Sequence, residues 1–367
     1  MSTDRLFEVD WGLFLSMLGL IVLGLVMIFS SSAIPAYRMM DSTPYFFQKQ
    51  LVWSLIGMVG CFAAAWVSPV TLKQVTPVIY AGSVALLALV LIPFIGREAG
   101  GARRWLDLGI IGMQPSELSK IAVIMTAGLY LSKVEFREKF MIKHIVMVMF
   151  ITLLPAILIA LEPDVGTAFQ VFTLGLIMLF LAGFPYHYLL FLVALSVPVG
   201  AFVIFTSGYR RARIVAYMNP WGDPLDKGYH TIQSMKALAA GGFTGQGLGE
   251  SIRKLGYLPE PFTDTIVAIM AEELGFISVL LLIGLLGFLV VRGFMISLQT
   301  SDVFFRFIGI GLTSLIAMQA ALNLSVVSGL IPTTGVSMPF ISYGGSALVI
   351  NMTAVGLIMN ISRSSIQ

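Results

Sequence analysis

Charge is what this sequence has least of. Only 11% of its 367 residues are Asp, Glu, Lys or Arg, where a soluble domain averages about 25%. So few charges cannot clothe a water-exposed surface, and a soluble globular fold is excluded. Cysteine is scarcer still: Cys61 stands alone inside an apolar run, which rules out a disulfide framework or a thiolate metal cluster. The histidines, His144, His187 and His230, lie far apart without metal-ligand spacing. Neither the Gly-Lys-Ser/Thr of a P-loop nor a dinucleotide fingerprint occurs, and nucleic acid is not among the expected partners.

What is present is apolar. Hydrophobic residues make up 57% of the chain, and the mean hydropathy is +0.93. A window of about 19 residues picks out ten spans, near 11–32, 47–67, 75–95, 114–132, 144–162, 166–184, 187–206, 264–291, 304–327 and 342–361. Backbone polar groups in lipid must be satisfied within the segment, so these are helices; the alternation of barrel strands is absent. The expected fold is an all-α integral membrane protein of about ten transmembrane helices, a single polytopic domain over 1–367. One large extracytoplasmic loop, 207–263, joins helices seven and eight. Trp11–Ser32 is long enough to span, so no cleavable signal peptide is expected. No internal repeat is evident, which speaks against an inverted-repeat transporter.

An even number of spans puts both termini on one side. With the long loop set aside, Arg5, Lys73, Lys133, Arg137, Lys139, Lys143, Arg292, Arg306 and Arg363 fall on that side, against Arg38, Lys49, Arg97, Arg103 and Arg104 on the other. The excess favours cytoplasmic termini. The basic outer loops then suit an anionic substrate or a lipid headgroup.

Gly208 to Gly275 is the one long stretch too polar to span and too apolar to be disordered. It opens on Tyr209-Arg210-Arg211-Ala212-Arg213 and passes through a turn-rich run at Asn219–Pro224. Tyr229, Ile232, Met235 and Leu238 recur at helical spacing, which predicts a short amphipathic helix in the interface. The glycine run Gly241–Gly249 reads as a plain turn. Asp264 comes last, where the next apolar helix begins.

Charged groups at membrane depth need partners, so each invites two readings. Glu117 and Lys120 share a helix face at i and i+3, behind Pro115 at a first turn, as a structural ion pair or as part of a site. Glu162-Pro163-Asp164 is either a polar helix break or a hairpin that turns Asp164 toward a polar cavity. Thr263-Asp264 is either an N-cap pair or, with Glu117, Lys120 and Asp164 on the same side, a reactive centre. Glu272 and Glu273, two turns into the eighth span, are expected to pair with neighbouring helices. Ser342-Tyr343-Gly344-Gly345-Ser346 could simply permit close helix packing.

Taken in order, these motifs resemble a known family. Arg104-Trp105, Gln114-Pro115-Ser116-Glu117-Leu118-Ser119-Lys120, Glu162-Pro163-Asp164-Val165-Gly166-Thr167, Asn219-Pro220-Trp221, Leu258-Pro259-Glu260, Thr263-Asp264, Ala271-Glu272-Glu273-Leu274-Gly275 and Pro339–Ser346 are similar to those of the SEDS (shape, elongation, division and sporulation) proteins. These are the polytopic peptidoglycan glycosyltransferases that include FtsW and RodA. The likeness runs from about residue 11 to the end. Gly329–Gly335 and Asn360-Ile361-Ser362-Arg363 look more like the division member. One departure stands out: the family's polar residue, often histidine, before Thr-Asp is Phe262 here, and its aromatic after it is Thr265. The carboxylate is kept while its local support changes.

The resemblance implies lipid II as substrate, polymerised at the extracytoplasmic side of a bacterial cytoplasmic membrane. Asp264 would be the base that takes the acceptor hydroxyl's proton, with inversion at the donor carbon. Arg210, Arg211, Arg213 and Lys120, or a divalent cation such as Mg or Mn, would answer the charge of the leaving pyrophosphate. Arg104, Glu117, Asp164, Glu260, Ser342 and Tyr343 complete the implied substrate-binding set. A class B penicillin-binding protein, other division or elongation proteins and membrane lipid are the implied partners. A lipid II flippase and a non-catalytic scaffold remain as alternatives: the first needs polar groups along the whole crossing, the second tolerates loss of Asp264.

Overall fold

A computed structural model describes residues 10–99, 102–107, 112–134, 142–226 and 228–364. Arg5, Arg137 and Lys139 of the charge comparison lie outside them. In chain order the elements are α1 (Trp11–Met40), α2 (Tyr45–Trp66), α3 (Pro69–Val90), the strands β1 (Gly96–Ala99), β2 (Ala102–Asp107) and β3 (Gly112–Met113), then α4 (Pro115–Leu131), α5 (Ile142–Leu161), α6 (Val165–Leu181) and α7 (Tyr186–Phe205). The loop helices α8 (Gly208–Met218) and α9 (Tyr229–Gly241) follow, then α10 (Ile266–Gln299), α11 (Val303–Val327) and α12 (Gly345–Ser364). Eight of these helices are long and apolar enough to cross a membrane. Of the two helices of 17 residues, α6 is apolar and α4 packs at the centre of the bundle.

Two expectations shift. The third span begins at Pro69 rather than near 75, because Ser68 caps it by accepting from the Thr71 amide at 3.1 Å. It ends at Val90, and the apolar residues after it lead into a small antiparallel sheet, order β1-β2-β3. A hydropathy window averages across such a short polar sheet and cannot see it.

The packing puts α4 at the centre, bounded by α3, α5, α6 and α11, while α2 lies along α12 and α1 along α10. The α2–α12 approach is close enough that a Cβ on Gly356 would fall 2.2 Å from the Cys61 carbonyl. The last carbonyls of α2 are not left orphaned: Asn360 Nδ2 donates to Ala64, Ala65 and Val67 at 2.9, 3.0 and 2.7 Å. By contrast α7 buries none of its residues and is the outermost helix.

The described ends of the chain, at Asp10 and Ser362, lie at one end of the bundle. Asp10 caps α1 through the Leu13 amide, takes Arg292 from the far end of α10 at 2.6 Å, and reaches Ser362 of α12 through its own amide. Asp264, next to the start of α10, is therefore toward the opposite end of the bundle from Arg292.

The loop is folded. Its basic cluster forms α8, which the sequence reading leaves unassigned, and α8 is fastened by Tyr217 donating to the Leu330 carbonyl at 2.7 Å. The helix expected around 229–238 is present as α9, packed against α10 and α11 with Ile232 and Ala237 buried. The glycine run is more than a plain turn. At Gly275, φ is +73° and α10 breaks its helical course. The amides of Gln246 and Gly247 donate to the Glu272 and Glu273 carbonyls, and those of Phe276 and Ile277 to Gly242 and Phe243. Backbone groups freed by the break are thus paired with the loop. A Cβ on Gly275 would sit 2.3 Å from both the Gly245 nitrogen and the Phe243 oxygen, so no larger residue fits.

Candidate active site

Asp264 sits half-buried one residue before the N-cap of α10. That cap position belongs to Thr265, and no side chain caps the helix there. The N-cap reading of Asp264 therefore fails: its carboxylate makes no hydrogen bond or ion pair among the described residues. Thr265 instead donates to the Glu260 carbonyl at 3.2 Å. What holds Asp264 is its backbone, whose carbonyl accepts from Asn323 Nδ2 of α11 at 3.0 Å. The neighbouring Thr263 carbonyl accepts from Ser342 Oγ at 2.8 Å, and the Phe262 carbonyl from the Tyr343 amide at 2.8 Å.

Phe262 stacks on Phe46 at 4.5 Å, and Tyr343 meets both rings edge-on at 5.7 and 5.2 Å. The local support of Asp264 is thus aromatic packing and main-chain hydrogen bonds, where the family pattern has a polar side chain. Ser342 and Tyr343, expected at the substrate, here position the Asp264 turn.

Burial raises the Asp264 carboxyl from its ordinary range to about 6; Glu260 adds to the rise, Arg213 and Arg104 oppose it, and Asp164 adds a little more. These five residues come from α8, β2, the start of α6 and the loop before α10. They form one electrostatic cluster. Glu260 is exposed, at a positive φ of 46°, and its carboxylate accepts from Thr263 Oγ1 at 3.0 Å. Arg213 donates to the Thr333 carbonyl at 3.2 Å. Asp164 caps α6 through the Thr167 amide and pairs with Arg104 at 3.6 Å, which also reaches the Pro163 carbonyl.

Four other expected residues stand apart from that cluster. Glu117 and Lys120 form a buried pair at 2.8 Å, so the lysine's charge is already answered inside the bundle. Arg210 folds back onto the Val203 carbonyl at the end of α7, at 3.1 Å. Arg211 is exposed on another face of α8 and makes no side-chain hydrogen bond or ion pair among the described residues.

A second charged cluster forms around Glu272 and Glu273, with loop cations that the sequence reading did not assign to them. Glu272 takes Arg253 and Ser251, and Glu273 takes Lys254 at 2.7 Å together with Ser30 of α1 at 2.6 Å. Both glutamates are fully buried. Their cationic partners come from the loop rather than from neighbouring helices, so these pairs bolt the loop to the broken start of α10. The adjacent Arg253-Lys254 and Glu272-Glu273 were the available signal.

Among the described residues no three His, Cys, Asp or Glu side chains group to hold a metal ion. A hard cation such as Mg or Mn would have to draw most of its oxygen ligands from phosphates and water.

A sequence model of the FtsW, RodA and SpoVE cell cycle proteins matches residues 11–367. The chain belongs to the FtsW/RodA/SpoVE family. A probable peptidoglycan glycosyltransferase FtsW of Trichlorobacter lovleyi is 39% identical over 98% of this chain and 94% of its own length. The stage V sporulation protein E of Bacillus subtilis is 38% identical over 94% of each. Among solved structures of the family, a chain from a peptidoglycan synthase complex of polymerization and crosslinking superposes with a TM-score of 0.82 at 30% identity, over 98% of this chain and 99% of that one. The rod shape determining protein RodA of Thermus thermophilus gives 0.73 at 27%, over 98% of both. This FtsW/RodA/SpoVE member therefore has the family's ten-helix membrane fold over nearly its full length.

Proposed function

We propose that this chain is a peptidoglycan glycosyltransferase that polymerises lipid II, with Asp264 as the base. The observation that carries the role is the state of that carboxylate: it caps nothing and, among the described residues, pairs with nothing, and we read the space it shares with Arg104 and Arg213 as the substrate groove. A sugar hydroxyl is a poor nucleophile until a base takes its proton. As the acceptor oxygen bonds to the donor anomeric carbon, its proton passes to Asp264. The bond from that carbon to the phosphate oxygen breaks, and the electron pair leaves on the lipid pyrophosphate. That leaving group is already strongly acidic and needs cations more than a proton. Arg104 and Arg213 are the cations the groove supplies.

The groove lies at the end opposite both termini, and with cytoplasmic termini it opens on the extracytoplasmic side, where the polymer is needed. The likeness to a chain of a peptidoglycan synthase complex supports a class B penicillin-binding protein as partner, and the FtsW relatives support a division role. The test is glycan-strand formation from purified lipid II, with the partner's own transglycosylase silenced. Wild type should give polymer and a folded Asp264→Asn variant should fall by about a thousandfold or more. Equal polymer from both would remove Asp264 as the base.

A further inference from the structure

Among the described residues Glu162 is the fully buried carboxyl that has no ion-pair partner and no place in the chemistry above. It lies between α5 and α6, two residues before Asp164, with no measurable exposure and neither oxygen hydrogen-bonded among the described residues. A buried carboxylate without partners is too costly to keep ionised. The charged groups that reach Glu162 are Asp164, on its own turn, and Arg104, from β2. Arg104 is already committed to Asp164. On α4, Glu117 and Lys120 satisfy each other. One cation thus faces two carboxyls.

We propose that Glu162 is a positioning residue held as the neutral acid, and that its ionisation closes the groove to an anionic diphosphate. With Glu162 neutral, Asp164 and Arg104 cancel and Arg104 can turn part of its charge toward substrate. With Glu162 ionised, the turn carries net negative charge beside the place where the diphosphate must sit. Like charges in a partly desolvated groove repel strongly. The pull of Arg104 is then divided between two carboxylates. Burial first, and Asp164 second, push the Glu162 carboxyl up to about 8, against Arg104, so the change falls in an accessible range.

This rests on the glycosyltransferase reading for its substrate, and the test separates the two. The diphosphate of lipid II is substituted on both sides and does not titrate further in this range. In the wild type KM for lipid II should rise roughly tenfold between about pH 7 and about pH 9, with kcat changing less than about twofold. In Glu162→Gln, which mimics the neutral acid, activity at neutral pH should be retained and the alkaline rise in KM should vanish. A Gln variant that keeps the rise, or one that folds but is inactive at neutral pH, overturns the proposal.

Infrared difference spectra of the wild type, taken between about pH 7 and about pH 9.5, need neither turnover nor a variant. They should show a protonated-carboxyl stretch lost on the alkaline side. Its absence overturns the proposal even if Glu162→Gln does not fold, and its presence stands even if no polymer forms.

Discussion

Asn323, buried in α11, donates one amide to the Asp264 carbonyl at 3.0 Å and to the Val336 carbonyl at 2.8 Å. A single side chain thus ties the turn before α10 to the segment before α12. The Asp264 side chain is left free because its backbone is held.

Replacing Asn323 with alanine should orphan two buried carbonyls and cost about 2 kcal/mol or more of stability. Because Asn323 touches only the main chain of Asp264, the kinetic loss should appear in kcat, by roughly tenfold, with KM for lipid II little changed. Polymerisation kinetics beside a thermal melt in detergent check both. An unchanged kcat would mean that the aromatic cluster at Phe262 alone holds the turn.

The pair Lys254–Glu273 joins the loop to α10 in a buried setting. Lys254→Met leaves the glutamate uncompensated and should destabilise by about 3–5 kcal/mol. Lys254→Met with Glu273→Met should recover most of that loss. Limited proteolysis of the stretch 241–264 offers an independent readout: cleavage should speed up in the single variant and slow again in the double.

Asp264 must be ionised to act as a base, so polymerisation should rise with pH through about 6. Glu260→Gln removes a negative neighbour and should move that limb to lower pH; Arg213→Ala removes a positive one and should move it higher. Stability runs the opposite way. A carboxyl raised from 3.8 to about 6 favours the folded state fully below its ordinary value, and that contribution is lost as pH rises through about 6. Asp264→Asn should flatten this part of the stability profile while abolishing activity.

Much of the chain was legible without coordinates. The apolar runs mark the spanning helices because lipid allows the backbone no other solution. The helical spacing of Tyr229, Ile232, Met235 and Leu238 marks α9 inside the loop. Asp264 stands out as a carboxylate at the edge of an apolar helix. The strands β1 to β3 and the helix α8 were not legible, since each is short and takes its shape from the surface it lies on.

The sequence by itself determined the membrane fold, the order of the helices and the residue types available for chemistry, because hydropathy and local spacing are properties of neighbours in the chain. Only the tertiary structure decided which charges are free. Lys120 and Glu117 look as reactive in sequence as Asp264, yet they satisfy each other inside the bundle. Asp264 is spared because Thr265 takes the cap position and Asn323, 59 residues away, holds the turn. Whether a buried charge has a partner depends on residues far apart in the chain, and folding alone brings those together.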